Sequence, residues 1–289
     1  MKTKTFLLLT ERFPELEAVA PNRPSALMWL ADKPILAHMI VHLLEYEIED
    51  ITVVVPVADR DAIAAWLSDS LASYSINLIT VKEAMSAPAA LAELGQSLLV
   101  GSHDLLLLSN RAIVMHDDWA TLLQTAEDGI VLGEAAVWVR GSVSTRLTLS
   151  GAETLAEAVQ TSGIRVEEKR PFKYFPITTM PQLLQTNQRL LGGGFSSADA
   201  LERSYTEEFG VIPPVFIHKD AEIYSSMIGP YVSIGAGAVV ENTVLRDTII
   251  EAGADVREIV LETTHVGANA RLSGKPVSVI AADDTTTEK

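Results

Sequence analysis

Hydrophobic positions along the first two-thirds of the chain alternate between two spacings. Thr5 to Leu9 is a compact apolar run, Pro34 to Tyr46 places Leu36, Met39, Ile40, Leu43 and Leu44 on one helical stripe, and Ile51 to Val55 is continuous and β-branched. These segments predict one βαβ unit. Asp59 to Ser70 reads as a second helix with an acid capping its start, Asn77 to Thr80 as a strand, Pro88 to Leu99 as a helix and Leu105 to Leu108 as a strand. A helix is expected after Asp117 and Asp118, a strand over Ala135 to Val139, and helices over Glu153 to Thr161 and Pro181 to Leu191. Strands separated by helices require a largely parallel sheet with both faces covered. Gly192-Gly193-Gly194 stops the last of these helices and marks the expected domain boundary, ahead of a helical stretch over Ser197 to Glu208.

Beyond that stretch neither spacing continues. Ile217, Ile223, Ile228, Ile234, Val240, Leu245, Ile250, Val256, Leu261, Val266 and Leu272 recur at gaps of five or six residues. A helix repeats near 3.6 residues and a strand at 2, so this period belongs to neither. It predicts a solenoid in which each short strand is one side of a triangular coil and the aliphatic residue points into the stack. Eleven such positions, three per coil, give between three and four coils, with "MIGPYVSIGAGAVVENTVL" the clearest part.

Composition and charge narrow the partners. At 289 residues and 48% hydrophobic content the chain can bury a sizeable core. A formal charge of -16 argues against nucleic acid or an anionic membrane, both of which select clustered Lys and Arg. Cysteine is absent from the sequence, which removes disulfides and thiolate metal sites. The short apolar run after Met1-Lys2-Thr3-Lys4 is no signal-peptide core, and no run approaches a membrane span, so a cytoplasmic address is expected. The acidic ending "ADDTTTEK" is read as a disordered tail.

The candidate chemistry lies in "LLLTERFPEL", where the first strand runs into a loop at the place many α/β proteins hold a phosphate. Phosphate loops use glycine and cations, because bare N–H groups must reach the oxygens and a positive charge must offset them. This loop offers Glu11, Phe13, Pro14 and Glu15. In the solenoid, His265 within "ETTHVGANA" and His218 near the first coil are the histidines available to acyl-transfer chemistry, and docking or assembly is the other task such coils perform.

Three stretches carry a family resemblance: "RPSALMWLADKPILAHMIVHLLEYEIEDITVVV" with its "DKPILAHMI", "PQLLQTNQRLL", and the five- and six-residue repeats. Together they resemble the sugar-1-phosphate nucleotidylyltransferases, in the longer forms that end in a β-helix. The resemblance implies an α/β fold: a Rossmann-like nucleotidyltransferase sheet domain over 1–192 with a shortened sugar-binding part, a linker and helix over 193–212, a left-handed parallel β-helix over 213–275 and a tail over 276–289. A gapless placement puts the family's Gly-x-Gly-Thr-Arg-Leu loop on Glu11, Arg12, Phe13, Pro14, Glu15 and Leu16, and its phosphate-binding lysine on Ser25. The magnesium carboxylates fall on Arg111 and Ile177, and Asp117 and Asp118 read as a helix cap rather than a displaced metal pair. "GEAAVWVRGSV" is read as the remnant of the sugar-side strand and "EEKRP" at 167 to 171 as a charged turn.

Compared with that pattern, two cations are lost and two anions gained. A unit charge ~4 Å from a phosphate oxygen contributes roughly 4 kcal/mol at an effective dielectric near 20, so each inversion is worth several kcal/mol. Arg12, Arg23, Asn110 and Arg111 remain as the side chains able to touch a ligand, and no residue is left in a catalytic role. The leading expectation is a catalytically impaired homologue with no metal or cofactor of its own. It would serve as a regulatory, ligand-sensing or assembly subunit: a homo-oligomer, or a partner of an active paralogue, with a sugar nucleotide as the expected ligand. The competing readings are an active, magnesium-dependent nucleotidylyltransferase with relocated phosphate ligands, and a β-helix acyltransferase using His265.

Overall fold

The structure is a computed structural model that describes residues 3–95, 103–125, 127–170, 173–206 and 209–275. The far end of the expected Pro88 to Leu99 helix, Pro171 of "EEKRP", the last two residues of the Ser197 to Glu208 stretch and the 276–289 tail lie outside the described residues. The chain divides into two units, Met1–Thr186 and Asn187–Lys289.

In the first unit the elements run β1 Thr3–Leu8, α1 Pro14–Val19, a short hairpin of β2 Trp29–Leu30 and β3 Lys33–Pro34, then α2 Ile35–Glu45, β4 Ile51–Pro56, α3 Arg60–Ser70, β5 Asn77–Val81 and α4 Ala87–Leu94. They continue with β6 Asp104–Ser109, β7 Ala112–Met115, α5 Trp119–Leu122, β8 Gly129–Leu132, β9 Ala136–Val139, α6 Leu155–Thr161, β10 Val166–Glu168 and β11 Lys173–Pro176, and α7 Met180–Gly192 begins in the first unit and ends in the second. Among the described residues seven strands form one sheet in the order β10-β8-β9-β6-β1-β4-β5. β1 lies between β4 and β6, parallel to both, with Leu7 opposite Val53 and Leu108. Such a central strand is buried on both faces, which is why Phe6, Leu7 and Leu8 form an unbroken apolar run with no exposure. β9 is antiparallel to β6 and β8, so the sheet is mixed on that side.

Two local expectations are corrected. Asp59 does not cap α3 through its side chain; its carboxylate is drawn instead to Arg12, and the helix is entered through a 3-10 turn over Val57–Asp59. Glu167 and Glu168 of "EEKRP" are not in a turn but in β10, an edge strand paired in parallel with β8, whose exposed side tolerates charge. In addition, the loop after β1 is partly helical, with Pro14 as the first residue of α1 and Leu16 buried.

Among its described residues the second unit carries α8 Ala200–Thr206 and ten short strands: β12 Gly210–Val211, β13 Val215–Ile217, β14 Glu222–Tyr224, β15 Met227–Ile228, β16 Val232–Ile234, β17 Val239–Glu241, β18 Val244–Ile250, β19 Asp255–Arg257, β20 Val260–Val266 and β21 Arg271–Ser273. All of the pairings among them are parallel and sort the aliphatic positions into three columns. Ile217, Ile234, Ile250 and Val266 stack on one face; Ile223, Val240, Val256 and Leu272 on the second; Val211, Ile228, Leu245 and Leu261 on the third. One turn of the coil takes sixteen residues where two of its spacings are five and one is six, and seventeen where only one is five. Corners this tight need left-handed backbone, and they are occupied in columns: Ser225, Asn242 and Glu258 at one, Tyr231, Asp247 and Thr263 at the next, all with positive φ. At the third corner Gly237, Gly253 and Asn269 take the same conformation.

Candidate functional site

The candidate site is built where β1, β4 and β6 end side by side, the edge at which open α/β sheets hold ligands. The turn after β1 is pinned at both sides. Leu9 N donates to Val54 O at 2.9 Å, Met85 N donates to Thr10 O at 2.9 Å, and Asn110 N donates to Leu8 O at 3.1 Å. The Asn110 amide then grips Glu11: its Nδ2 donates to Glu11 O at 2.9 Å and its Oδ1 accepts from Glu11 N at 3.3 Å. Held in this way, the Glu11 carboxylate meets Arg111, whose Nη2 lies 2.6 Å from Glu11 Oε2, with the Glu11 side chain 8% exposed. Burial pushes the Glu11 carboxyl above its ordinary range, opposed by the Arg111 hydrogen bond and charge and by the Ala87 N–H at the start of α4. Its other oxygen, Oε1, is buried and has no hydrogen-bond partner among the described residues.

Arg111 and Ile177 are neighbours in the structure, with Ile177 N donating to Arg111 O at 3.0 Å. The side chains there do not fit a magnesium ion, since one is a guanidinium and the other a buried aliphatic group. Among the described residues no group of three or more His, Cys, Asp or Glu side chains converges as a metal site. Asp118 Oδ1 accepts from Thr121 N at 2.9 Å, capping α5, and Asp117 lies 3.5 Å from Lys173 Nζ.

The remaining loop positions are also engaged. Phe13 is buried, Pro14 opens α1, and Glu15 Oε2 accepts from Met180 N, the first residue of α7, at 2.9 Å. Arg12 is held between two acids, with Nη2 2.7 Å from Asp59 Oδ1 and Nε 3.2 Å from Glu17 Oε1. Arg23 Nη1 donates to Leu27 O at 3.1 Å.

Arg12, Glu17, Arg23 and Asp59, with Ala20, Pro21, Asn22, Pro24, Ala58 and Ala62, line an open cleft of about 600 Å³. A narrow pocket of about 10 Å³ shares Arg12, Pro24 and Asp59 with it and is bounded further by Glu11, Ser25, Ala26 and Asn110. Of the four side chains expected to touch a ligand, Arg12 and Arg23 therefore border the cleft and Asn110 the narrow pocket, while Arg111 is turned onto Glu11. Asp59 was missed as a cleft residue because a single acid ahead of a helical pattern reads as a cap.

In the coil, His265 Nε2 lies 2.9 Å from Glu251 Oε1, with the two side chains 2% and 1% exposed. His218 Nδ1 lies 3.2 Å from Asp220 N and 3.6 Å from its carboxylate.

No protein-family model matches the chain, and no curated protein matches its sequence. Among the solved structures it resembles is a protein from Bacillus anthracis assigned as a glucose-1-phosphate thymidylyltransferase, determined in complex with a sucrose. That likeness has a TM-score of 0.50 at 13% identity and covers 64% of this chain and 94% of that one. At this identity the two share a fold, that of a nucleotidyltransferase-like α/β domain. Among the described residues no helix is long and apolar enough to cross a membrane.

Proposed function

We propose that this chain is a nucleotidylyltransferase-like protein that has lost nucleotidyl transfer and acts in nucleotide-sugar metabolism as a ligand-sensing, regulatory or assembly subunit. The observation that carries this reading is the 2.6 Å ion pair between Glu11 and Arg111. A triphosphate seated at the β1 loop would place its oxygens beside Glu11, at a repulsion of roughly 4 kcal/mol per unit charge ~4 Å away. Arg111 offers little relief, because using it for phosphate strips the buried carboxylate of its counter-ion.

The coil supplies the assembly function in this account. Its hexapeptide-like spacing supports a left-handed β-helix that joins the chain to further copies or to an active paralogue in the cytoplasm. Acyl transfer has less support, since His265 is buried and its Nε2 is taken by Glu251. The test is release of pyrophosphate from nucleoside triphosphates with magnesium and a panel of sugar 1-phosphates. The account expects none above an enzyme-free control; release that depends on the chain, magnesium and one sugar phosphate establishes the active-enzyme reading instead.

A further inference from the structure

We infer that a cavity at the amino end of β1, the opposite end of that strand from the β1 loop, binds a small organic cation: an amine carried on an aromatic body. It is separate from the candidate site and independent of the reading proposed for it.

The cavity measures about 320 Å³, at the lower end of the range for small-molecule sites. Thr3 at the head of β1 borders it, and Tyr46, Ile48, Trp119, Ala120 and Leu123 give it aromatic and aliphatic walls. The turn "EYEIED" at the end of α2 sets its polar side. Ile48 N donates to Leu43 O at 3.0 Å and Glu47 N to Leu44 O at 3.1 Å, a helix-ending motif whose left-handed residue is usually glycine. Here that residue is Glu47, with φ of 61°, and it also lines the cavity. A carboxylate therefore borders the same space as two aromatic rings. The surrounding charge has the same sign: partial desolvation, and after it the charges of Asp117, Glu45 and Asp118, raise the pKa of the Tyr46 hydroxyl. Lys173, 3.5 Å from Asp117, offsets that acid. His42 packs near both rings, with centroids 5.0 Å from Tyr46 and 6.3 Å from Trp119, and burial lowers its pKa to about 4, so it adds no positive charge near neutrality. An anion is repelled by these acids. A neutral ring gains the apolar walls and nothing more. An ammonium group gains the Glu47 charge and cation–π attraction to the lining rings as well.

Isothermal titration of the full chain with phenethylamine, tyramine and tryptamine tests this, each beside its uncharged alcohol, 2-phenylethanol, tyrosol or tryptophol, and with phenylacetate as the anion. At least one amine should bind, about fivefold or more tighter than its alcohol, and phenylacetate should give no heat. Glu47→Gly suits the left-handed turn, so the melting temperature should hold or rise while the amine weakens by about threefold or more. Ala120→Phe fills the cavity from an exposed position of α5 and should weaken the amine by about tenfold or more. Silence from all three amines, an alcohol or phenylacetate that binds as tightly as the matching amine, or unchanged affinity in either variant overturns the inference. Pyrophosphate release bears on the non-catalytic reading alone, so the two fail separately.

Discussion

Replacing Arg111 with Met keeps most of the side chain's apolar length and removes its charge, leaving Glu11 buried without its counter-ion. At 2.6 Å and an effective dielectric near 20, the attraction lost is about 6 kcal/mol before desolvation is counted. Removing one partner of a buried pair costs about 3–5 kcal/mol net, and the 29% exposure of the Arg111 side chain places this case at the lower end, about 3 kcal/mol. All four tryptophans, Trp29, Trp66, Trp119 and Trp138, lie in the first unit, so intrinsic fluorescence follows its unfolding alone. The expected fall in Tm is about 6–12 °C. The pH dependence has a definite sign. Glu11 already has a raised pKa in the folded state, so its contribution to stability is greatest below its unfolded value and declines as pH rises through the folded one. Losing Arg111 raises that folded pKa further, so the variant's deficit should be larger above neutrality than near pH 5. In a double-mutant cycle with Glu11→Gln the coupling should exceed about 1 kcal/mol; additivity within about 0.5 kcal/mol, or a pH-independent deficit, refutes the reasoning.

Further outcomes follow from the same contacts. His38 is fully packed, with Nε2 2.8 Å from Leu30 O, and burial lowers its pKa from 6.5 to about 4. Because the unfolded chain takes up this proton first, the stability present above pH 6.5 is lost as pH falls toward 4, by about 3 kcal/mol. Urea midpoints measured across that window should show the slope; His42, also lowered by burial to about 4, adds to it, so His38→Gln should roughly halve it and leave the remainder to His42. Glu15→Ala frees the first N–H of α7 and should cost about 1 kcal/mol, read from the tryptophan transition; an unchanged midpoint removes its capping role. A Cβ on Gly235 would lie 2.6 Å from Ala252 N, so Gly235→Ala should force adjacent coils apart and cost about 1–3 kcal/mol in a circular-dichroism melt of the second unit. An unaltered melt contradicts the coil spacing.

The parts of this fold that were legible in the sequence are those where one face decides the residue type. Burial on both sides made β1, β4 and β6 continuous apolar runs, and eleven inward positions of the coil announced themselves by spacing. Val211, which heads the third column, was missed because a lone valine in "GVIPP" carries no period by itself. The left-handed corners were equally silent: Glu258 and Thr263 have no preference for positive φ, and only the closure of the coil imposes it. At the site, the sequence indicated which charges had changed but not how they are paired. Glu11 and Arg111 are a hundred positions apart, and only the parallel register of β1 with β6 makes them neighbours. Asp59 illustrates the same limit, because its local pattern fits a helix cap and its partner Arg12 sits on another strand's turn.

The central claim is that the β1 loop has exchanged a phosphate for an internal ion pair. Isothermal titration of the full chain with nucleoside triphosphates in excess magnesium addresses it most directly. The account predicts no heat of binding up to millimolar triphosphate. Saturable, magnesium-dependent binding at micromolar triphosphate that is lost on replacing Arg12 or Arg111 would contradict it.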